Sequence, residues 1–412
     1  MRPATEPSIN ARRLLDRLES LGCVGRREDG SICRLALTDE DRQGRDLVAA
    51  WMRELGLEVR VDRVGNLFGL RKGLEDLPPV MTGSHIDTVA TAGKFDGCLG
   101  VLAGLEVAQT LDEAGIRTRR PLVVAAFTDE EGVRFQPDML GSLVYAGGMD
   151  VREALERPGI DGTTFGGELA RIGYAGEMEP GALAPSAFVE LHIEQGPILD
   201  HVGESLGVVA DLQGISWQEV TLSGVSNHAG TTPMRLRHDA GYGAARLACF
   251  VRDLALSIGD SQVGTVGSLR LEPNLINVVP REAVLTVDLR NTDEGRLCEA
   301  EEQLAAFLHE LGQQEGLGIS TRRLARFEPV TFDAGIVAVI KRTAARLGHP
   351  IRTMTSGAGQ DAQMLARVCP TAMIFVPSIG GISHNPMERT ESSHVELGAN
   401  VLLHTLLELA GN

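Results

Sequence analysis

The segment Pro79-Val80-Met81-Thr82-Gly83-Ser84-His85-Ile86-Asp87-Thr88, followed by Gly93-Lys94-Phe95-Asp96-Gly97, decides how the chain is read. The apolar run from Pro79 to Met81 has the character of the end of a buried strand. An imidazole and two carboxylates follow close behind it, which is metal-site chemistry. His85 offers a neutral nitrogen, and Asp87 is placed to hold the far ring nitrogen. Asp96 follows a glycine-flanked turn with two oxygens able to bridge two cations. An isolated His-x-Asp is common by chance, and the alternative is a strand-end histidine beside two solvated loop carboxylates. The rest of the chain has to decide.

Downstream, Leu99, Leu102, Leu105, Val107 and Leu111 space a helix from Cys98 to Gly115, and Pro121 to Phe127 is a continuous apolar run typical of a fully buried strand. Strand, helix, strand predicts a parallel α/β core. Upstream, helices are expected over residues 9–22 and 39–56, with a capping box at Thr38 to Asp41, and a hairpin over Leu57–Val61 and Gly65–Leu70.

Immediately after the second buried strand stands Thr128-Asp129-Glu130-Glu131-Gly132. Three consecutive acids at such a place repel one another unless a cation compensates them, the other reading being a solvated loop. A third element, Phe188 to Gly196, alternates as a strand with Glu190, His192 and Glu194 on its polar face. Residues 137–187 are Gly-rich and partly helical, with no legible chemistry. The last buried strand, Ala372 to Val376, leads to Gly380-Gly381-Ile382-Ser383-His384-Asn385-Pro386, and a terminal helix is expected over Val395 to Ala410. Collected, these elements carry His85, Asp96, Glu131, His192 and His384. Strand ends of an open α/β sheet converge on one crevice, and a bridging carboxylate with two further ligands per cation is a dinuclear hydrolase pattern.

The pattern changes after Gly214. Ile215–Ser223 reads as a strand, Arg237–Ser257 as a helix, Gln262–Leu271 and Glu282–Leu289 as strands, residues 294–315 as a helix, and Ile319–Phe327 as extended. That order is the split β-α-β, ferredoxin-like arrangement. An inserted domain is therefore expected over 211–327, with a first domain made of 1–210 and 328–412. The return begins with a helix from Ala334 to Leu347.

Composition bounds the function. A chain of 412 residues exceeds a single core, and 43% hydrophobic with 23% charged residues is ordinary for a globular protein. The formal net charge of -17 disfavours nucleic acid or an anionic membrane as a partner and favours a small molecule. Six cysteines, at positions 23, 33, 98, 249, 298 and 369, lack C-x-x-C spacing, so neither a zinc ribbon nor a disulfide framework is suggested. With no apolar leader and no membrane-length apolar run, a cytoplasmic protein is expected.

The stretches GSHIDT, GKFDG, FTDEEGVRF, ELHIEQGP, GVSNHAGTTPM, INVVP, TSGAG and GISHNP together resemble the hydantoinase/carbamoylase family of dinuclear-metal amidohydrolases, and the resemblance runs from about residue 45 to the end. It implies a metallopeptidase-like α/β catalytic domain, its mixed sheet flanked by helices, and an inserted α+β domain acting as lid and dimerisation surface in a homodimer. It further implies that His85, Asp96 and His192 hold one divalent metal, with Asp96 bridging, and that Glu131 and His384 complete a second. The metals suit zinc, manganese, cobalt or nickel. Asp87 would orient His85, Glu130 would be the general base, and His228 would donate to the developing oxyanion. Asn277 and Arg290 would hold a substrate carboxylate, Gln195 the carbamoyl end, and Gly357 and Gly359 would offer backbone N–H groups. The chain departs from the family pattern at Gln360, where a histidine is usual, and at Asn385 to Met387. The implied reaction is hydrolysis of an N-carbamoyl-L-amino acid. Allantoate, ureidoglycolate and β-ureidopropionate hydrolysis stand as alternatives, and a metal-free binding or scaffold protein is the reading from another class.

Overall fold

The computed structural model describes residues 6–259 and 261–411; the first five residues, Asp260 and Asn412 fall outside it. The chain divides into two compact units, one formed up to Ala210 and from Thr331 onward, the other by Asp211–Val330. The return to the first unit, expected at about 328, begins at Thr331.

The first unit is built on a nine-stranded mixed sheet. Its order is Glu58–Val61, Leu67–Arg71, Leu122–Phe127, Val80–His85, Ala187–Ile193, Thr371–Val376, Gly207–Leu212 and Val330–Thr331, with Arg352–Ser356 also pairing with Gly207–Leu212. The four central strands are parallel, and every residue in them is buried. Strands buried on both faces have no use for alternation, which is why Leu122–Phe127 reads as one apolar run. The strand ending in His85 lies between Leu122–Phe127 on one side and Ala187–Ile193 on the other. The chain leaves it first one way and then the other, so the gap beside it is a topological switch point, where open α/β sheets form their crevice.

Helices Cys98–Glu113 and Ser392–Ala410 pack against the central strands and against each other. The first is buried on nearly all sides, with thirteen of its residues enclosed, which explains its weak amphipathic pattern. Helix Ala11–Gly22 starts at Asn10, whose side chain accepts the N–H of Arg13, and helix Asp39–Glu54 starts at Thr38, whose hydroxyl accepts that of Asp41. The stretch 137–187, which carries no chemical signal, forms three short helices that share a small core, including Phe165 and Leu169, with Leu37, Val64 and Phe135 from outside it.

The second unit follows the expected split β-α-β order. Its antiparallel sheet runs Gly318–Phe327, Gly214–Ser223, Glu282–Asn291, Val263–Glu272. Strand Glu282–Asn291 alternates, burying Ala283, Leu285, Val287 and Leu289. These pack in one core with Leu247, Val251 and Leu254 of helix Ala240–Ile258 and Leu304, Leu308 and Leu311 of helix Glu294–Glu315. Phe250 and Phe307 join the two helices, their rings stacked with centroids 4.0 Å apart. No helix among the described residues is long and apolar enough to cross a membrane.

Gly83 shows how closely the first sheet is fitted. It pairs with Ala125 across the parallel ladder at a φ of 153°, and a Cβ there would collide with the Ala125 carbonyl. Gly83→Ala is expected to be destabilising by about 1–3 kcal/mol, the usual penalty of overpacking. A urea titration would show this as a lower midpoint at unchanged slope. An unaltered midpoint would mean that the two strands have room to separate.

Candidate metal centre

His85 and His192 stand at or near the carboxyl ends of adjacent parallel strands, with ring centroids 6.1 Å apart. Each ring is fixed by its Nδ1, which hydrogen-bonds a main-chain carbonyl: Asp87 O at 3.0 Å for His85, and Ile193 O at 2.9 Å for His192. A carbonyl can only accept, so Nδ1 carries a proton and Nε2 is turned toward the crevice. There His192 Nε2 lies 3.3 Å and His85 Nε2 3.8 Å from Asp96 Oδ1. The other oxygen, Asp96 Oδ2, is 3.2 Å from His384 Nε2, which in turn is 3.5 Å from Glu131 Oε2.

Two triads therefore share Asp96: His85, Asp96 and His192, and Asp96, Glu131 and His384, the ligand atoms of each lying within 4.8 Å of one another. Two donors each about 2.1 Å from one cation at a tetrahedral angle stand about 3.4 Å apart. The spacings of 3.2, 3.3 and 3.5 Å match this, and 3.8 Å is a wider angle at the same cation. The donor set, imidazole nitrogens and carboxylates, fits a divalent cation.

Electrostatics point the same way. Burial, and after it the neighbouring acids Glu131, Asp361 and Asp96, push Glu130 well above the ordinary carboxylate range. Glu131 is raised likewise, by burial and then Asp96 and Asp87. Burial acts against charge on His192, yet Asp96, with Glu190 and the Ile193 carbonyl behind it, outweighs burial and pushes the ring up to about 9. Positive charge is thus favoured where Nε2 meets Asp96, and negative charge around it is in excess.

The expected role of the Asp87 side chain needs correction. It is the Asp87 carbonyl that holds the His85 ring, while the carboxylate is 3.9 Å from Nδ1. That carboxylate instead accepts the backbone N–H groups of Glu130 and Glu131, each at 3.3 Å. Asp87 so ties the first motif to the acidic loop. The loop starts at Asp129, which has a positive φ of 58°. From there Glu130 Oε2 reaches to 3.4 Å from His85 Nε2 while Glu131 turns to His384. The side chain of Glu190, on the polar face of its strand, lies in the interior, accepting Ser84 Oγ at 2.6 Å and Ala362 N at 2.9 Å.

Sequence reasoning missed Glu388 and Ser383. Buried Glu388 accepts Phe95 N and Asp96 N through Oε1, while Ser383 Oγ stands 3.0 Å from both Asp96 Oδ2 and Glu388 Oε2. Both lie within a few residues of His384, the available signal. Two wholly buried arginines brace the loops from behind. Arg34 donates to the carbonyls of Ile86, Leu21 and Val24, and Arg45 to Asp41, Gly65 O and Thr128 Oγ1.

Gln195 also faces Asp96, its Nε2 2.9 Å from Oδ2. Gly357 is exposed and Gly359 half-buried, both following strand Arg352–Ser356. The other three expected residues belong to the second unit. His228 is exposed, and its Nδ1 accepts the N–H groups of Gly230 and Thr231 at 3.1 and 3.2 Å, so in the neutral ring Nε2 carries the proton. Asn277 is exposed beside it, its carbonyl accepting Ala229 N. Arg290 is half-buried over Trp217 and paired through two nitrogens with Asp288.

Paired histidine–carboxylate triads at the ends of parallel strands define an α/β hydrolase of the metallopeptidase type. The chain belongs to peptidase family M20/M25/M40, which it matches over residues 81–408. Within it the chain groups with the hydantoinase/carbamoylase enzymes. It is 42% identical over 409 residues to the N-carbamoyl-L-amino-acid amidohydrolase of Rhizobium meliloti, covering 99% of this chain and 98% of that one. It is 39% identical to the N-carbamoyl-L-amino acid amidohydrolase of Geobacillus stearothermophilus, covering 98% and 99%. A crystal structure of a hydantoinase/carbamoylase family amidase from Burkholderia multivorans superposes with a TM-score of 0.93 at 43% identity, covering 98% of each chain.

Gly97 offers a test of the centre that leaves every ligand in place. It precedes helix Cys98–Glu113 at a φ of 64°, and a Cβ there would run into the His85 ring. Gly97→Ala should weaken binding of a divalent cation by roughly 10–100-fold, as displaced ligand supports usually do, while far-ultraviolet circular dichroism stays native. Unchanged affinity in a cation titration would show that the ring position does not matter.

Proposed function

We propose that the chain hydrolyses the carbamoyl C–N bond of an N-carbamoyl-L-amino acid, giving the amino acid, ammonia and carbon dioxide, with two divalent cations held by the triads that share Asp96. The sharing of Asp96 carries this reading, because a single carboxylate offering one oxygen to each of two histidine-containing triads is suited to a cation pair. When bound, such cations lower the pKa of a water and polarise a carbonyl. The full ligand set argues against the scaffold reading, since a protein that had abandoned catalysis would have no use for it.

The protein's own part follows from the site. Glu130 stands beside His85 but belongs to neither triad, which leaves it to take the attacking water's proton and pass it to the leaving nitrogen. His228, with Nε2–H available, would donate to the carbonyl oxygen as negative charge develops there. Arg290 and Asn277 would hold the substrate carboxylate, Asp288 keeping the guanidinium extended until a second carboxylate shares it. Gln195 would meet the carbamoyl end, with Gly357 and Gly359 lending backbone N–H groups. The second unit would act as lid and dimerisation domain of a cytoplasmic homodimer.

The direct test is ammonia release from a panel of N-carbamoyl amino acids, allantoate, ureidoglycolate and β-ureidopropionate after loading with zinc, manganese, cobalt or nickel. Turnover of N-carbamoyl-L-amino acids is expected, and Glu130→Gln should lower it by roughly 10²–10⁴-fold with cation content unchanged. Empty sites in that variant would reassign Glu130 as a ligand, and preference for allantoate would move the reading to that substrate.

Subunit mixing tests the role of His228. In a two-fold dimer that shares this residue, each subunit lends its histidine to the other. Mixed His228→Ala and Glu130→Ala subunits should then regain activity, because one hybrid site has both residues intact. Verified exchange without recovery would show that His228 serves its own chain.

A further inference from the structure

Gln360 is 1% exposed, yet its amide does not cap the short helix Asp361–Leu365 that it precedes. Its Nε2 donates to Gln195 Oε1 at 2.7 Å, and Gln195 Nε2 donates to Asp96 Oδ2 at 2.9 Å. Gln195 is itself held in a left-handed backbone conformation, with a φ of 58°, by its N–H on Ser378 Oγ. Such a conformation in a non-glycine residue persists only where surrounding contacts impose it.

The direction of this chain of bonds is dictated from one end. An ionised Asp96 can only accept, so Gln195 must turn its NH₂ toward it and its oxygen away. That oxygen can only accept, so Gln360 must present its NH₂. The Gln360 oxygen is then left over, and it is buried with no hydrogen-bond partner among the described residues. A buried acceptor without a partner is unfavourable, yet turning the Gln360 amide over would set its oxygen against the Gln195 oxygen, and turning Gln195 over would set its oxygen against Asp96. The donor arm of Gln360 is what the fold retains.

We propose that Gln360 is a positioning residue that, acting from the opposite side to Asp96, holds the amide sense of Gln195, so that Gln195 offers the metal centre N–H groups and not its oxygen. One N–H is on Asp96, and the same nitrogen lies 3.4 Å from His384 Nε2, at the edge of the second triad. In the proposed reaction, on which this part rests, Gln195 accordingly meets an acceptor on the substrate, the ureido oxygen.

A double-mutant cycle reads whether Gln360 acts through Gln195. Gln360→Leu and Gln195→Leu should each weaken Zn²⁺ or Mn²⁺ binding, measured by calorimetry, by roughly tenfold, and the double variant by about the same factor. Independent effects, about a hundredfold in the double variant, or wild-type affinity in Gln360→Leu would overturn the proposal. Gln360→Glu supplies a second reading should the leucine variant fold poorly. A carboxyl donates only when protonated, so its cation affinity relative to wild type should recover as pH falls, and a constant ratio across pH would count against the relay. The cation titrations need no ureido substrate. Should the wild type bind cations and the cycle be non-additive while no ureido acid is turned over, the substrate reading alone fails. Absence of cation binding in the wild type would overturn both.

Discussion

Negative charge gathered where water is largely excluded is the constraint on which the rest of this structure depends. Asp87, Asp96, Asp129, Glu130, Glu190, Asp361 and Glu388 are all buried around one crevice. Burial drives most of them above the ordinary carboxylate range. Asp96 is the exception: burial acts on it in the same sense, yet hydrogen bonds with His192 and His384 hold it well below that range. Isolated, each such acid would be protonated or would unfold its surroundings. Their retention in one place makes sense when a cation is part of the folded state. Arg34 and Arg45 supply fixed positive charge from behind, but they are committed to backbone carbonyls, Asp41 and Thr128, and do not reach the crevice.

The sheet provides the rigid frame for that arrangement. Parallel strands end together, and at the switch point the ends of Val80–His85 and Ala187–Ile193 are neighbours while their connecting segments diverge. The loop bearing His384 follows the next strand along, Thr371–Val376. Ligands far apart in sequence therefore need no long side-chain reach. The second unit has its own helix-covered sheet and its own core.

Much of this was legible because burial and chemistry leave different marks on sequence. A strand enclosed on both faces is an unbroken apolar run, and a polar group at its end stands out against it, as His85, Glu130 and Glu131 do. The helix–strand order of the second unit was legible from alternation and spacing. What escaped were contacts made by ordinary residues across long separations. Proximity to His384 is the one mark on Glu388, and it does not name the Phe95 and Asp96 amides as its partners, nor does anything local name Gln195 as the partner of Gln360. The carboxylate of Asp87 was misjudged for a related reason. A side chain two residues from a histidine looks like its partner, but the main chain at the same position was closer to the ring. Sequence spacing locates a residue without saying which of its atoms faces the neighbour.

That last detail bears on how such a centre tolerates genetic change. The rings of His85 and His192 are both oriented by peptide carbonyls, at Asp87 and Ile193. A coding change replaces side chains and leaves carbonyls where they are, provided the backbone keeps its course. The aim of these two ligands is therefore shielded from most point substitutions, whereas groups aimed by side chains, as Gln195 is by Gln360, are open to them.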